Sequence, residues 1–112
     1  MHELVWSGRF EADVQSIYEW LEERNDGAGD RFYSRLLSDL EQLKKYPWSG
    51  SRTEDSNARQ LLVIGERYAA IYTVEHRGVI LQALFDQRQD PAVRIRIVRQ
   101  ITGGLPGPRS AE

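Results

Sequence analysis

From Gly65 to Pro91 the chain carries two strand-like runs, rich in aromatic and aliphatic residues, on either side of Arg77-Gly78. A two-residue connection containing glycine, which reaches positive φ without steric cost, is the signature of a tight β-hairpin. With Arg77-Gly78 as the turn, His76 faces Val79, and counting back along the ladder sets Arg67 opposite Arg88. The open end of the hairpin therefore brings two arginines to one small area.

Alternate side chains of a strand point to opposite faces, so this register also sorts core from surface. Val79, Leu81, Ala83 and Phe85 form one apolar face, with Val74, Tyr72, Ala70 and Tyr68 from the facing strand. Thr73, Glu75, Gln82 and Asp86 occupy the other face together with both arginines. The expectation is a helix-covered face and a second face left at least partly open.

A chain of 112 residues suits one domain with one modest core. No apolar stretch approaches the ~20 residues of a membrane span, and the N-terminus lacks the basic start and apolar core of a signal peptide. A cytoplasmic protein is expected. The absence of cysteine excludes thiol catalysis and thiolate metal sites, and two distant histidines offer no ligand spacing, so neither metal nor cofactor is expected. Charge is uneven: residues 1–57 hold 7 basic and 12 acidic side chains, residues 58–112 hold 8 and 5. The positive second half is wholly arginine, whose planar fork suits carboxylate or phosphate.

Along the chain, Glu3 to Trp6 reads as a short strand, punctuated by Ser7-Gly8. Phe10, Val14, Ile17, Tyr18 and Leu21 then follow helical spacing. Asn25-Asp26-Gly27 breaks that helix, and Asn25 or Asp26 is expected to cap a second one carrying Phe32, Leu36, Leu40 and Leu43. Pro47 ends it after Lys44-Lys45. Residues 46–57 read as an irregular polar loop. A strand from Arg59 to Ile64 follows, closed by Gly65-Glu66 onto the hairpin. Asp90 as cap and Pro91 at the first helical position outline a last short helix. The order is β-α-α-β-β-β, an α+β fold with a helical hairpin on one face of an antiparallel sheet of three or four strands. Residues 1–102 form the expected domain and 103–112 a disordered tail.

This order, together with Ile17-Tyr18-Glu19-Trp20-Leu21, Arg31-Phe32, Pro47-Trp48-Ser49-Gly50, Arg59-Gln60-Leu61, Gly65-Glu66-Arg67-Tyr68 and Phe85-Asp86-Gln87-Arg88-Gln89-Asp90-Pro91, resembles the RelE/ParE superfamily of type II toxin-antitoxin toxins. The resemblance covers roughly residues 3 to 100 and is strongest to the ParE-like plasmid-stabilisation branch. It implies a small cytoplasmic toxin that arrests growth and is neutralised by an antitoxin, whose C-terminal segment wraps it, in a complex that could be oligomeric. RelE-type members cleave mRNA on the ribosome, whereas ParE-type members inhibit DNA gyrase.

RNA cleavage by 2′-hydroxyl attack needs phosphate clamps and groups that move protons. Arg67 and Arg88 match the superfamily's clamp arginines, but a guanidinium is a poor base. Where the nuclease branch carries lysines this chain has Ala58-Arg59-Gln60, and where it carries a late tyrosine this chain has Val93-Arg94. His76 sits at the hairpin turn, about 30 Å from the arginines at ~3.3 Å per residue. His2 is near a terminus. Glu66 and Asp86 are the nearest carboxylates and are expected as ion-pair partners, or as candidate bases if the chain is a nuclease. Arg59, Arg67, Arg88 and Trp48 are the expected target-binding residues, and Trp20 is expected in the core or facing the antitoxin. The leading expectation is a binding toxin; the alternatives are a metal-independent mRNA endonuclease and a structural module on the same fold.

Overall fold

Ser7 turns the chain from strand to helix. Its hydroxyl accepts from the Phe10 N–H at 3.0 Å, capping the first helix, and donates to the Gln82 carbonyl at 3.1 Å. In the computed structural model, which describes residues 2–54, 57–88 and 91–102, β1 (Leu4–Trp6) precedes this cap and α1 (Gly8–Arg24) follows it. Phe10 and Val14 are buried on α1, with Ile17 and Leu21 packed against the same core. α2 (Ala28–Leu40) buries Phe32, Leu36 and Leu40 alongside. The turn between them differs from expectation. Asn25 is the C-cap of α1, its N–H donating to the Leu21 carbonyl, and α2 starts on Gly27 at φ 86°. The Glu22 carboxylate accepts from the N–H groups of Gly27, Gly29 and Asp30 at 3.1, 2.9 and 3.2 Å. A carboxylate from the preceding helix thus supplies the cap that Asn25 or Asp26 was expected to give.

The second helix breaks at Glu41, and a short α3 (Gln42–Lys45) carries Lys44-Lys45 in its last turn. Five strands follow the order β1-β5-β4-β3-β2, with β2 (Ser51–Arg52), β3 (Arg59–Val63), β4 (Tyr68–Glu75) and β5 (Gly78–Asp86) each antiparallel to the next. β1 lies parallel to β5, so the sheet is mixed and larger than the expected three or four strands. The polar loop also contributes β2, although it is only two residues long.

The hairpin register shifts from the expected one. Glu75 pairs with Gly78, leaving His76-Arg77 as the turn rather than Arg77-Gly78. Gly78 has φ 139°, and a Cβ there would lie 2.5 Å from the Glu3 carbonyl. The glycine is thus needed where β1 approaches β5. A bulge at Gln82 moves the register by one residue between Tyr72↔Leu81 and Ile71↔Ala83. The expected single apolar face of Val79, Leu81, Ala83 and Phe85 is consequently split. Val79, Leu81 and Leu84 join Tyr68, Ala70 and Tyr72 beneath α1 and α2. Ala83 and Phe85 join Ala58, Ala69 and Ile71 on the other face.

That other face is covered as well. The C-terminal helix α4 (Pro91–Thr102) lays Ile97 and Val98 on it, with Val93 and Ile101 alongside. The face expected to be at least partly open thus carries a second, smaller core, while Thr73, Ile80 and Gln82 on it stay half-buried. Asp90, expected as the cap of α4, lies outside the described residues, as does the expected tail over 103–112.

Candidate functional site

The β3–β4 connection is a left-handed turn: Ile64, Gly65 and Glu66 have φ of 55°, 61° and 69°. The Arg67 N–H closes it on the Ile64 carbonyl at 3.1 Å, as a tight hairpin turn at Gly65-Glu66 requires. A β-branched residue with positive φ is costly, and Ile64 is held there by its N–H donating to Asp39 Oδ2 at 2.7 Å. The turn aims Arg67 back across the sheet toward the end of β5.

There Asp86, opposite Tyr68 in the ladder, gathers both expected arginines. Its Oδ1 accepts from the Arg88 backbone N–H at 2.8 Å and from Nε at 3.3 Å, and its Oδ2 from Nη2 at 3.2 Å. Arg67 Nε stands 3.6 Å from the same Oδ2 and has no hydrogen-bond acceptor among the described residues. The two guanidiniums therefore converge as expected, but on a carboxylate and not as ladder partners. The Arg67 carbonyl instead accepts from the Gln87 N–H at 2.8 Å. Burial pushes the Asp86 carboxyl up, but hydrogen bonds from the Arg88 side chain and backbone, with the charges of Arg88 and Arg67, outweigh it and hold the group below the usual range. The same pairing raises Arg88. Glu66, the second expected partner, is exposed at the turn and makes no ion pair among the described residues.

Tyr68 stands between two clefts. One, of about 370 Å³, is lined by Ser16, Ile17, Trp20, Tyr68 and Asp86. The other, of about 360 Å³, has Leu21, Phe32, Ile64 and Tyr68 on its walls and Arg31, Arg35 and Arg67 among its lining residues. Phe32 meets the Tyr68 ring edge-on at 5.4 Å, and the Arg67 guanidinium lies 5.4 Å from the centroid of that ring. Burial also pushes the Tyr68 hydroxyl up. These surroundings favour the ionised form of Asp86 and the neutral form of Tyr68. Trp20 is 47% exposed at the rim with the Arg24 guanidinium 3.8 Å from its ring centroid, so it is not part of the core. Tyr68, Arg31 and Arg35 were not expected at the site from the sequence, although Tyr68 and Arg31 lie in motifs that carry the resemblance and Arg31 and Arg35 share one helix face at i, i+4 around buried Phe32.

Arg59 and Trp48 belong elsewhere. Arg59 pairs with Tyr72, four ladder positions from Tyr68, which is about 13 Å along β4. Arg59 Nη1 donates to the Trp48 and Gly50 carbonyls at 3.2 and 2.7 Å, and its guanidinium lies 5.0 Å from the Trp48 ring centroid. The four expected target-binding residues thus fall into two separate pairs, Arg67 and Arg88 at the Asp86 end of the β4–β5 ladder and Arg59 and Trp48 at the start of β3. A further cleft, of about 480 Å³ beside β1, includes His2, Leu37 and Lys44. Lys44 there is paired with Glu41 at 3.0 Å, so the cleft offers little charge to an anionic partner. His76 remains exposed at the hairpin turn, as expected. The described residues contain no group of acidic or histidine side chains that could hold a metal, and no helix long and apolar enough to cross a membrane.

Three comparisons bear on this arrangement. A family model described as "ParE toxin of type II toxin-antitoxin system, parDE" matches residues 4–91. Among solved structures the chain is similar to one described as "Chromosomal ParDE TA system from P. aeruginosa", with a TM-score of 0.68 and 16% identity, over 77% of this chain and 96% of that one. At that identity the likeness speaks for the fold. Among curated proteins, none matches.

Proposed function

The chain belongs to the ParE toxins of type II toxin-antitoxin systems, and from that membership we propose that it arrests growth in the cytoplasm by binding a protein target, DNA gyrase, and is released from that task by a cognate antitoxin. The observation that carries this reading is the sharing of one carboxylate by two guanidiniums. Asp86 neutralises one charge of the Arg67–Arg88 pair, and the surplus is available to a carboxylate on a partner. Arg31 and Arg35 add to that surplus in the adjoining cleft. Ile17, Leu21, Phe32 and Trp20 supply apolar surface beside it, which suits an antitoxin segment carrying acidic and apolar residues.

Among the candidate catalytic residues, none has the pattern of a proton shuttle. Asp86 is held ionised by its arginines, and guanidiniums do not act as bases at neutral pH. Expression of the chain alone should therefore arrest growth, and co-expression with the small open reading frame adjacent to its gene should relieve the arrest and yield a tight complex. The substitution pair Arg67→Ala and Arg88→Ala, made together, should abolish toxicity while the circular dichroism of the fold is retained. Normal growth on expression of the unaltered chain, or undiminished toxicity of the double variant, would refute the assignment.

A further inference from the structure

The end of the sheet away from Asp86 carries a second cationic surface, which the toxin reading leaves unused. Arg52 and Arg59 are directly paired on β2 and β3, so both side chains point to the same face of the sheet. Like charges set opposite each other destabilise a ladder unless something compensates them. Arg59 directs its guanidinium to two neutral carbonyls, and Arg52 is exposed. Among the described residues neither makes an ion pair.

Beside these arginines two aromatic rings are held out in solvent, Trp48 at 60% and Tyr46 at 64% exposure. Their exposure is built in. The Ser49 N–H donates to the Tyr46 carbonyl at 3.0 Å, Gln42 Nε2 to Ser49 Oγ at 3.0 Å, and the Gly50 N–H to the buried Tyr72 hydroxyl at 2.9 Å. A Cβ at Gly50 would lie 2.5 Å from the Gln60 carbonyl and 2.6 Å from the Tyr72 hydroxyl, so this backbone path admits only glycine. With Arg59 against the Trp48 ring, the loop presents a rigid aromatic surface flanked by guanidinium charge.

We propose that this end of the sheet binds single-stranded nucleic acid, a base stacking on Trp48 and the flanking phosphates lying on Arg52 and the exposed Lys45. Aromatic faces stack any base, and cations beside them follow the backbone, so the two features together suit this ligand class. A protein partner is the weaker fit. An aromatic anchor of a protein interface is ringed by contacts that exclude water, whereas the loop around Trp48 sets polar Lys45, Ser49, Ser51 and Arg52 beside Tyr46 and Pro47.

Fluorescence anisotropy of labelled twelve-nucleotide oligothymidylate and oligouridylate, titrated with the purified chain at low salt, tests this directly. Binding should weaken steeply with added salt. Trp48→Ala should weaken it about tenfold, whereas Trp48→Phe keeps a stacking face and should restore most of it. Arg52→Ala should lower the slope of log affinity against log salt by about 0.7, one phosphate contact on a single strand. Arg99→Ala, which removes the same charge from α4, should leave the Trp48 dependence intact. Preference for the deoxy or the ribo oligomer supports the proposal and says which nucleic acid is used. No binding of either oligomer, or binding indifferent to Trp48→Ala in a variant with native circular dichroism, overturns it. Loss of antitoxin capture in Trp48→Ala with oligomer binding unchanged overturns it too, and makes this end a protein interface.

Discussion

Asp86 is the residue on which the arrangement of Arg67 and Arg88 depends, and its pairing makes a pH-dependent prediction. Its carboxyl is held below the ordinary range in the folded chain, so its stabilising contribution is fully present above the unfolded value, ~3.9, and is lost as pH falls through the lowered folded value. Asp86→Asn should therefore reduce stability at neutral pH, with the gap to the unaltered chain closing as the solution is acidified. Urea denaturation across pH checks this, and a gap that stays constant contradicts it. The arginines have a separate readout. Arg67→Ala and Arg88→Ala should each weaken partner binding by about 1–3 kcal/mol where their charged hydrogen bonds are made to the partner, measured by calorimetry against the antitoxin. At this scale the meeting of Arg67 and Arg88 was legible, because both flank strands of one hairpin. Its centre was not, because a ladder count cannot show which carboxylate reaches across.

The elements were legible where their burial is one-sided and obscure where it is not. The stripes of α1 and α2 predict their buried faces, since both helices meet the sheet on one side only. β5 behaves differently: Ala83-Leu84-Phe85 is apolar throughout because both faces of the sheet are covered there, by α1 and α2 and by α4. A doubly covered strand carries no alternation from which a bulge could be read. β2 is too short to show a period, and the parallel pairing of β1 with β5 joins segments more than seventy residues apart. Beyond the end of β1, α1 takes over the edge of β5: Asp13 Oδ2 accepts from the Leu84 N–H at 2.9 Å. Burial raises the Asp13 carboxyl, against the lowering by that N–H and by Arg9, so its negative charge is a cost and its acceptor oxygen the benefit. Asp13→Asn, which can keep the acceptor, should be close to neutral in stability at pH 7. Asp13→Ala, which leaves a buried N–H unpaired, should cost about 1–3 kcal/mol. Equal effects of the two substitutions in thermal or urea denaturation would contradict this account of the edge.

For the molecule as a whole, the α+β class, the helical hairpin and the family were legible from element order and from motifs spread over most of the chain. The division of the candidate site was not. Arg59, Trp48, Arg67 and Arg88 read as one set in sequence, yet the sheet parts them, Arg59 and Trp48 at the start of β3 and Arg67 and Arg88 beside Asp86. The end that holds Asp86 is where we propose that the chain acts by binding and not by cutting RNA. The most direct measurement pairs two assays on one preparation: DNA gyrase supercoiling, and cleavage of mRNA on translating ribosomes. The account predicts inhibited supercoiling that is lost with Arg67→Ala and Arg88→Ala, and intact mRNA. Unaffected gyrase together with ribosome-dependent cleavage abolished by either arginine substitution would contradict it, and a further loss with Glu66→Gln or Asp86→Asn would then identify the base.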